Sequence, residues 1–233
     1  MTPEDINAQG WRHYGRRQLD RGHMPPVPRR MIWGPWPDVG PGDEVLGKIA
    51  GRRLLDIGSG AGHHAVHLAQ HCGARVDAVE LSPTQHERAV KEHGSTAGVT
   101  FLLGDAVERL HRARPYDGAY AVGTLPFIDP TRSLPSLREG LGPGAPLVFS
   151  ALHTNLHGTP PETSLAPRQE MIRLRDTAPI PVSMWVITGQ LWEDLLTDHG
   201  FTVEATVLLT SPEQDSPVTH QLIRARRRRD HAR

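Results

Sequence analysis

The segment from Leu54 to Gly73 holds two patterns that could each do chemistry. Gly58, Gly60 and Gly62 alternate in its first half, and such glycines let a backbone turn tightly and approach a ligand closely. His63, His67 and His71 follow at four-residue intervals, which places three imidazoles on one helix arc, where they could bind a transition metal. The first pattern needs a strand before the turn, a helix after it, and an acid roughly 20 residues further on for a ribose. The second needs convergent, unpaired imidazoles.

The elements that must position these residues follow from periodicity. A helix is expected over residues 3–21, opening with Thr2-Pro3-Glu4-Asp5, where a proline and acids occupy the first turn. Residues 24–42 are too rich in Pro and Gly for regular structure, and a short helix is expected over 43–50. Short apolar strands then follow at 53–57, 75–80, 99–103, 116–122 and 146–152, with helices at 61–71, 83–93 and 131–140. After a long interruption at 153–187 come a helix at 189–199 and strands at 201–209 and 218–224, the last two joined as a hairpin. Such alternation predicts an α/β, Rossmann-like fold: a mostly parallel seven-stranded sheet with an antiparallel edge strand and helices on both faces. Residues 1–42 read as an N-terminal helix and Pro-rich lid segment. Residues 43–225 are the main domain, with 153–187 as a substrate-side insertion, and 226–233 an Arg-rich tail expected to be disordered.

Composition narrows the function classes. Among 233 residues the formal net charge is zero, so no global field draws a polyanion, and no nucleic-acid partner is expected. No apolar run approaches the roughly 20 residues of a membrane span. The polar N-terminus lacks a signal peptide's apolar region, and the single Cys72 excludes an internal disulfide; together these predict a cytoplasmic protein. Cys72, in an Ala/Leu-rich setting, reads as a core residue.

The glycine spacing separates two cofactors. A dinucleotide turn, G-x-G-x-x-G, would place glycine where His63 stands; the pattern here is Asp56-x-Gly58-x-Gly60-x-Gly62, with Glu80 ending the next strand. At this point the chain resembles the class I S-adenosylmethionine-dependent methyltransferases. The resemblance extends through Val79-Glu80-Leu81-Ser82-Pro83, Leu103-Gly104-Asp105-Ala106, Tyr116-Asp117-Gly118, Leu141-Gly142-Pro143-Gly144 and the junction from Leu195 to Phe201. It implies S-adenosylmethionine as cofactor and S-adenosylhomocysteine as product. Expected contacts are Asp56, Gly58, Ser59, Gly60 and Gly62 at the turn, Glu80 on the ribose hydroxyls, and Leu81. Gly104, Asp105 and Ala106 would lie at the adenine, with Val122 and Gly123 after the fourth strand. His63 and His64, at the positive end of their helix, are expected neutral and beside the methionine moiety.

The same comparison bears on the acceptor. Val122-Gly123-Thr124-Leu125-Pro126-Phe127 replaces the Asn/Asp-Pro-Pro-aromatic motif of exocyclic-amine methyltransferases, and no Pro-Cys nucleophile is present. Asp129 is the sole acid just beyond the fourth strand, so no catalytic metal is expected. The resemblance therefore implies methyl transfer to a carbon, nitrogen or oxygen of a small molecule. Composition and domain economy point to specialised metabolism, and a monomer or homodimer without a membrane partner is expected. The alternatives are a peptide, protein or RNA methyltransferase, and a non-catalytic cofactor-binding protein. Trp11, Tyr14, Trp33, Trp36 and Trp185 are expected to line the acceptor pocket. His153, directly after the fifth strand, is the first candidate base, followed by His157 and Tyr14. His63, His67 and His71 are expected to face solvent, opposite Ala65, Leu68 and Cys72.

Overall fold

A computed structural model describes residues 2–173 and 178–229. The first helix, α1 (Pro3–Asp20), starts at a reciprocal cap: Thr2 Oγ1 accepts from the Asp5 N–H at 3.2 Å, and Asp5 Oδ2 accepts from the Thr2 N–H at 2.9 Å. Two interior glycines let α1 pack closely. A Cβ on Gly10 would lie 3.1 Å from the Pro181 carbonyl oxygen, and one on Gly15 would lie 2.3 Å from Thr84 Oγ1. The helix cost of glycine is thus tied to close crossing of two other elements.

The main domain runs β1 (Arg53–Ile57), α2 (His63–Cys72), β2 (Arg75–Glu80), α3 (Pro83–His93), β3 (Val99–Leu103), α4 (Ala106–Arg112), β4 (Gly118–Val122), α5 (Pro130–Gly140) and β5 (Pro146–Thr154). It continues with β6 (Arg168–Ile172), β7 (Ile180–Met184), α6 (Gly189–Asp198), β8 (Phe201–Thr210) and β9 (Thr219–Arg227). The seven-stranded sheet has the order β3-β2-β1-β4-β5-β9-β8, with β9 antiparallel to both neighbours and the closing hairpin at the sheet edge. Successive strand residues point to opposite faces. Leu54 joins Trp33, Leu68 and Tyr120 in one core, while Leu55 joins Leu134, Phe149 and Trp192 in the other. Burial on both faces explains why β1 places two apolar residues, Leu54 and Leu55, side by side instead of alternating apolar with polar.

Four features depart from the sequence expectations. Helix α4 was absent from them; it is capped by Asp105, whose Oδ1 accepts from the Val107 N–H at 2.7 Å. The expected helix at 43–50 is a 3-10 turn over Asp43–Leu46. The 153–187 insertion contains a two-stranded sheet, β6 with β7, packed on α1. The expected disorder from residue 226 does not hold for its first residues: Arg226 and Arg227 complete β9, and Arg226 Nε pairs with Glu204 Oε1 at 2.7 Å. Asp230 to Arg233 lie outside the described residues. Among the described residues, no helix is long and apolar enough to cross a membrane.

Candidate active site

The strand order reverses between β1 and β4, so a crevice opens beyond their carboxyl ends. A cavity of about 430 Å³ occupies it. Its floor is the glycine turn, its sides carry Glu80 and Asp105, and α1 covers it with Asn7, Trp11 and Tyr14. Gly58 and Gly60 have φ of +71° and +56°, and a Cβ on Gly58 would lie 2.1 Å from Thr124 Cγ2. The turn therefore requires glycine for both conformation and space.

Both acids are braced. Glu80 is nearly buried; its Oε2 accepts from the Gly60 N–H at 2.8 Å and its Oε1 from the Ser82 N–H at 2.7 Å. Burial raises its pKa, and these N–H donors oppose the rise. A carboxylate has about four lone-pair directions, so the two oxygens can still accept from a pair of hydroxyls. Asp105 caps α4 and pairs with Arg132, which also lines the cavity. Asp56 is buried beneath the turn, where Tyr120 donates its hydroxyl to Oδ2 at 2.9 Å.

The cavity wall also holds buried polar atoms without protein partners: Ser59 Oγ, His63 Nδ1 and His64 Nε2. Burial pushes the His63 pKa down to about 4 and that of His64 well below its ordinary value. Both rings are thus neutral at pH 7, as expected, with desolvation as the main cause. Such orphaned atoms are costly unless a ligand or water meets them.

A family model described as a methyltransferase domain matches residues 54–144. An O-methyltransferase of Aspergillus sclerotiorum is 31% identical over 162 residues, spanning 68% of this chain and 58% of that protein. An O-methyltransferase of Aspergillus nomiae is 30% identical over 164 residues, spanning 69% of this chain and 68% of that protein. The chain belongs to the class I S-adenosylmethionine-dependent methyltransferases. A solved S-adenosylmethionine-dependent methyltransferase from Mesorhizobium loti shares the fold, with a TM-score of 0.57 at 24% identity, covering 78% of this chain and 94% of that one.

Within this methyltransferase, the expected cofactor residues Asp56, Gly58, Ser59, Gly60, His63, His64, Glu80, Leu81, Gly104, Asp105, Ala106 and Val122 all line the one cavity. Gly62 and Gly123 do not line it. Gly62 caps α2 at φ +80°, and Gly123 donates its N–H to Ser150 Oγ at 3.0 Å. Of the expected acceptor residues, Trp11 and Tyr14 line the cavity and form an edge-to-face cluster with Phe127.

The other aromatic and histidine expectations are corrected. Trp33 is fully buried beneath the sheet, where its Nε1 donates to the Gly42 carbonyl at 3.0 Å. Trp36 packs edge-on against His220, and Trp185 is buried with its backbone N–H on the Pro126 carbonyl. All three lie outside the cavity wall because loop tryptophans here pin the loop to the core. His153 also lies outside it; its Nδ1 is 3.1 Å from both Thr154 Oγ1 and Thr219 Oγ1 on the hairpin side. His157 is exposed, with Nε2 facing Arg173.

The expected solvent-facing histidine stripe is also wrong at its centre. His67 is 1% exposed because the 3-10 turn covers that side of α2, bringing Asp43 Oδ1 to 3.1 Å from its Nε2. Cys72 donates from Sγ to Asp43 Oδ2 at 3.5 Å, and burial first, then the Asp43 charge, pushes the thiol up to about 11. Asp43, His67 and Cys72 have metal-like proximity, but His67 Nδ1 is buried without a partner. A metal on Nε2 would force the ring proton onto that orphaned nitrogen. Donation from Nε2 to Asp43 avoids this, so the trio is a clamp between the turn and α2.

Proposed function

We propose that this methyltransferase transfers the methyl group of S-adenosylmethionine to a nucleophile of a small molecule, in specialised metabolism. The observation that carries the reading is the cavity in which the glycine turn, two braced acids and orphaned polar atoms meet beneath the aromatic side chains of α1. Oxygen is the favoured acceptor atom among carbon, nitrogen and oxygen, because both fungal relatives are O-methyltransferases. On this reading the chain works in the cytoplasm as a monomer or homodimer, without nucleic acid or membrane.

The residues present fit the cofactor. Glu80 would accept both ribose hydroxyls, and Asp105 with Leu81, Gly104 and Ala106 would hold the adenine. The turn from Gly58 to Gly60 would carry the methionine portion, with Ser59, His63 and His64 meeting its polar atoms. When bound, the cofactor supplies a sulfonium-activated methyl for in-line displacement. The protein's own contribution is alignment and exclusion of water, which can supply a large part of the rate enhancement. Trp11, Phe127 and Ile128 form the apolar wall against which an acceptor would be held. Tyr14, among the three candidate bases, is the one positioned at that wall.

The test is incubation with methyl-labelled S-adenosylmethionine and a small-molecule extract, with mass spectrometry of the products. The expected result is a labelled metabolite bearing one added methyl. No labelled product from a broad extract, despite measurable cofactor binding, would leave a binding protein instead.

A further inference from the structure

Arg88, on α3, is 4% exposed and lines the cavity. Its Nη1 donates to Gln85 Oε1 and its Nη2 to the His23 carbonyl at 2.9 Å. Both acceptors are neutral. Its Nε is buried without a partner, and among the described residues no carboxylate pairs with it. A guanidinium withdrawn from water without a counter-charge is costly, and an incoming anion would relieve that cost.

The position of Arg88 specifies the anion. Gln85 Nε2 lies 3.6 Å from where a Cβ on Gly60 would stand, so the Gln85–Arg88 pair flanks the glycine turn. Gly60 is in turn bonded to Glu80, the ribose acid of the reading above. One wall therefore runs Glu80, Gly60, Gln85, Arg88. Ser59 Oγ and His63 Nδ1, both unpartnered, belong to the same turn and helix start. His63 is neutral at pH 7, so Arg88 is the full positive charge of this group. The apolar residues Trp11, Phe127 and Ile128 supply no such group on their side.

We infer that Arg88 binds the carboxylate of the cofactor's methionine tail, with Ser59 and His63 completing the contact. The fork geometry of arginine suits a carboxylate, and charge-assisted bonds of this kind are the strong ones. The inference rests on the cofactor reading above but assigns a residue and a ligand group that the glycine motif does not.

Calorimetry with two ligands tests it. S-adenosylhomocysteine carries the amino-acid tail; 5′-methylthioadenosine keeps adenine, ribose and thioether but lacks that tail. Arg88→Gln is expected to weaken S-adenosylhomocysteine binding by about 10- to 100-fold, the range of a charged hydrogen bond. It should leave 5′-methylthioadenosine binding within about twofold, which also shows that the variant folds. Arg88→Lys should recover part of the loss. Unchanged S-adenosylhomocysteine affinity, including the case where only acceptor KM rises, overturns the assignment. So does an equal loss for both ligands, which marks a structural role. If the wild-type protein binds neither ligand, the cofactor reading itself fails.

Discussion

Asp56 offers a test of how burial governs the charge beneath the glycine turn. It is 3% exposed, Tyr120 is its one side-chain donor among the described residues, and burial pushes its pKa up to about 7, with the Glu80 charge adding to the rise. In an unfolded chain the same carboxyl titrates at about 3.9. Between these values the folded state holds a proton that the unfolded state has released. The stability this contributes is complete below the unfolded pKa and is lost as pH rises through about 7. From about pH 5 to about pH 8 the loss is about 3 kcal/mol, two pKa units at roughly 1.4 kcal/mol each. His63 and His220 act in the opposite direction. Burial lowers each to about 4, so their contribution is present above the unfolded value and lost as pH falls toward 4. The wild-type profile therefore mixes both signs, and Asp56→Asn separates them by removing one titration while keeping a partner for Tyr120. Urea denaturation of both proteins at about pH 5 and about pH 8 should show the variant gaining about 3 kcal/mol relative to wild type at the higher pH. A difference between the two proteins that stays constant within about 0.5 kcal/mol would refute the buried-carboxyl argument.

Trp11→Ala should raise acceptor KM by about tenfold or more while leaving S-adenosylhomocysteine affinity nearly unchanged, since Trp11 belongs to the lid; the reverse pattern would move the acceptor elsewhere. His153→Ala should keep kcat within about twofold and cost about 1 kcal/mol of stability, because its ring bonds to Thr219 rather than facing the cavity. A hundredfold fall in kcat would reinstate it as the base. Asn7→Ala removes Nδ2 bonds to the Phe127 and Ser183 carbonyls and the Ser183 N–H bond to Oδ1. It should cost about 2–4 kcal/mol and speed hydrogen exchange throughout α1; unchanged exchange there would show that the clamp is not what holds the lid.

The sheet and the glycine turn were legible because strand and helix periods are local and the turn's positive φ values demand glycine. Glu80 was legible for a related reason: the β1–α2–β2 path fixes its distance along the chain. Helix α4 was readable but missed; Asp105 followed by Glu108 at the third helical position is a capping pattern. Arg88 sits in a run, Gln85-His86-Glu87-Arg88, that looks like an exposed helix face. Its burial comes from α1 crossing α3, and the one sequence trace of that crossing is Gly15 inside a helix. The burial of His67 and Trp33 likewise depends on which loop lies over which face, information absent from any local period. The placement of His153 away from the cavity was not legible because its position at a strand end did not reveal the antiparallel partner, β9, that takes its ring.

The Asn7 clamp spans 176 residues of sequence, joining the first helix to β7 and to the turn after β4. In recombination terms, the cavity-lining helix and the strand that holds it are therefore one unit written in two distant places. A chimera that exchanged residues 1–20 with those of a relative would inherit new lid side chains but strand Ser183 and misfit Gly10 against Pro181. Acceptor range in such chimeras should change productively when the helix and β7 travel together, and collapse into instability when either moves alone.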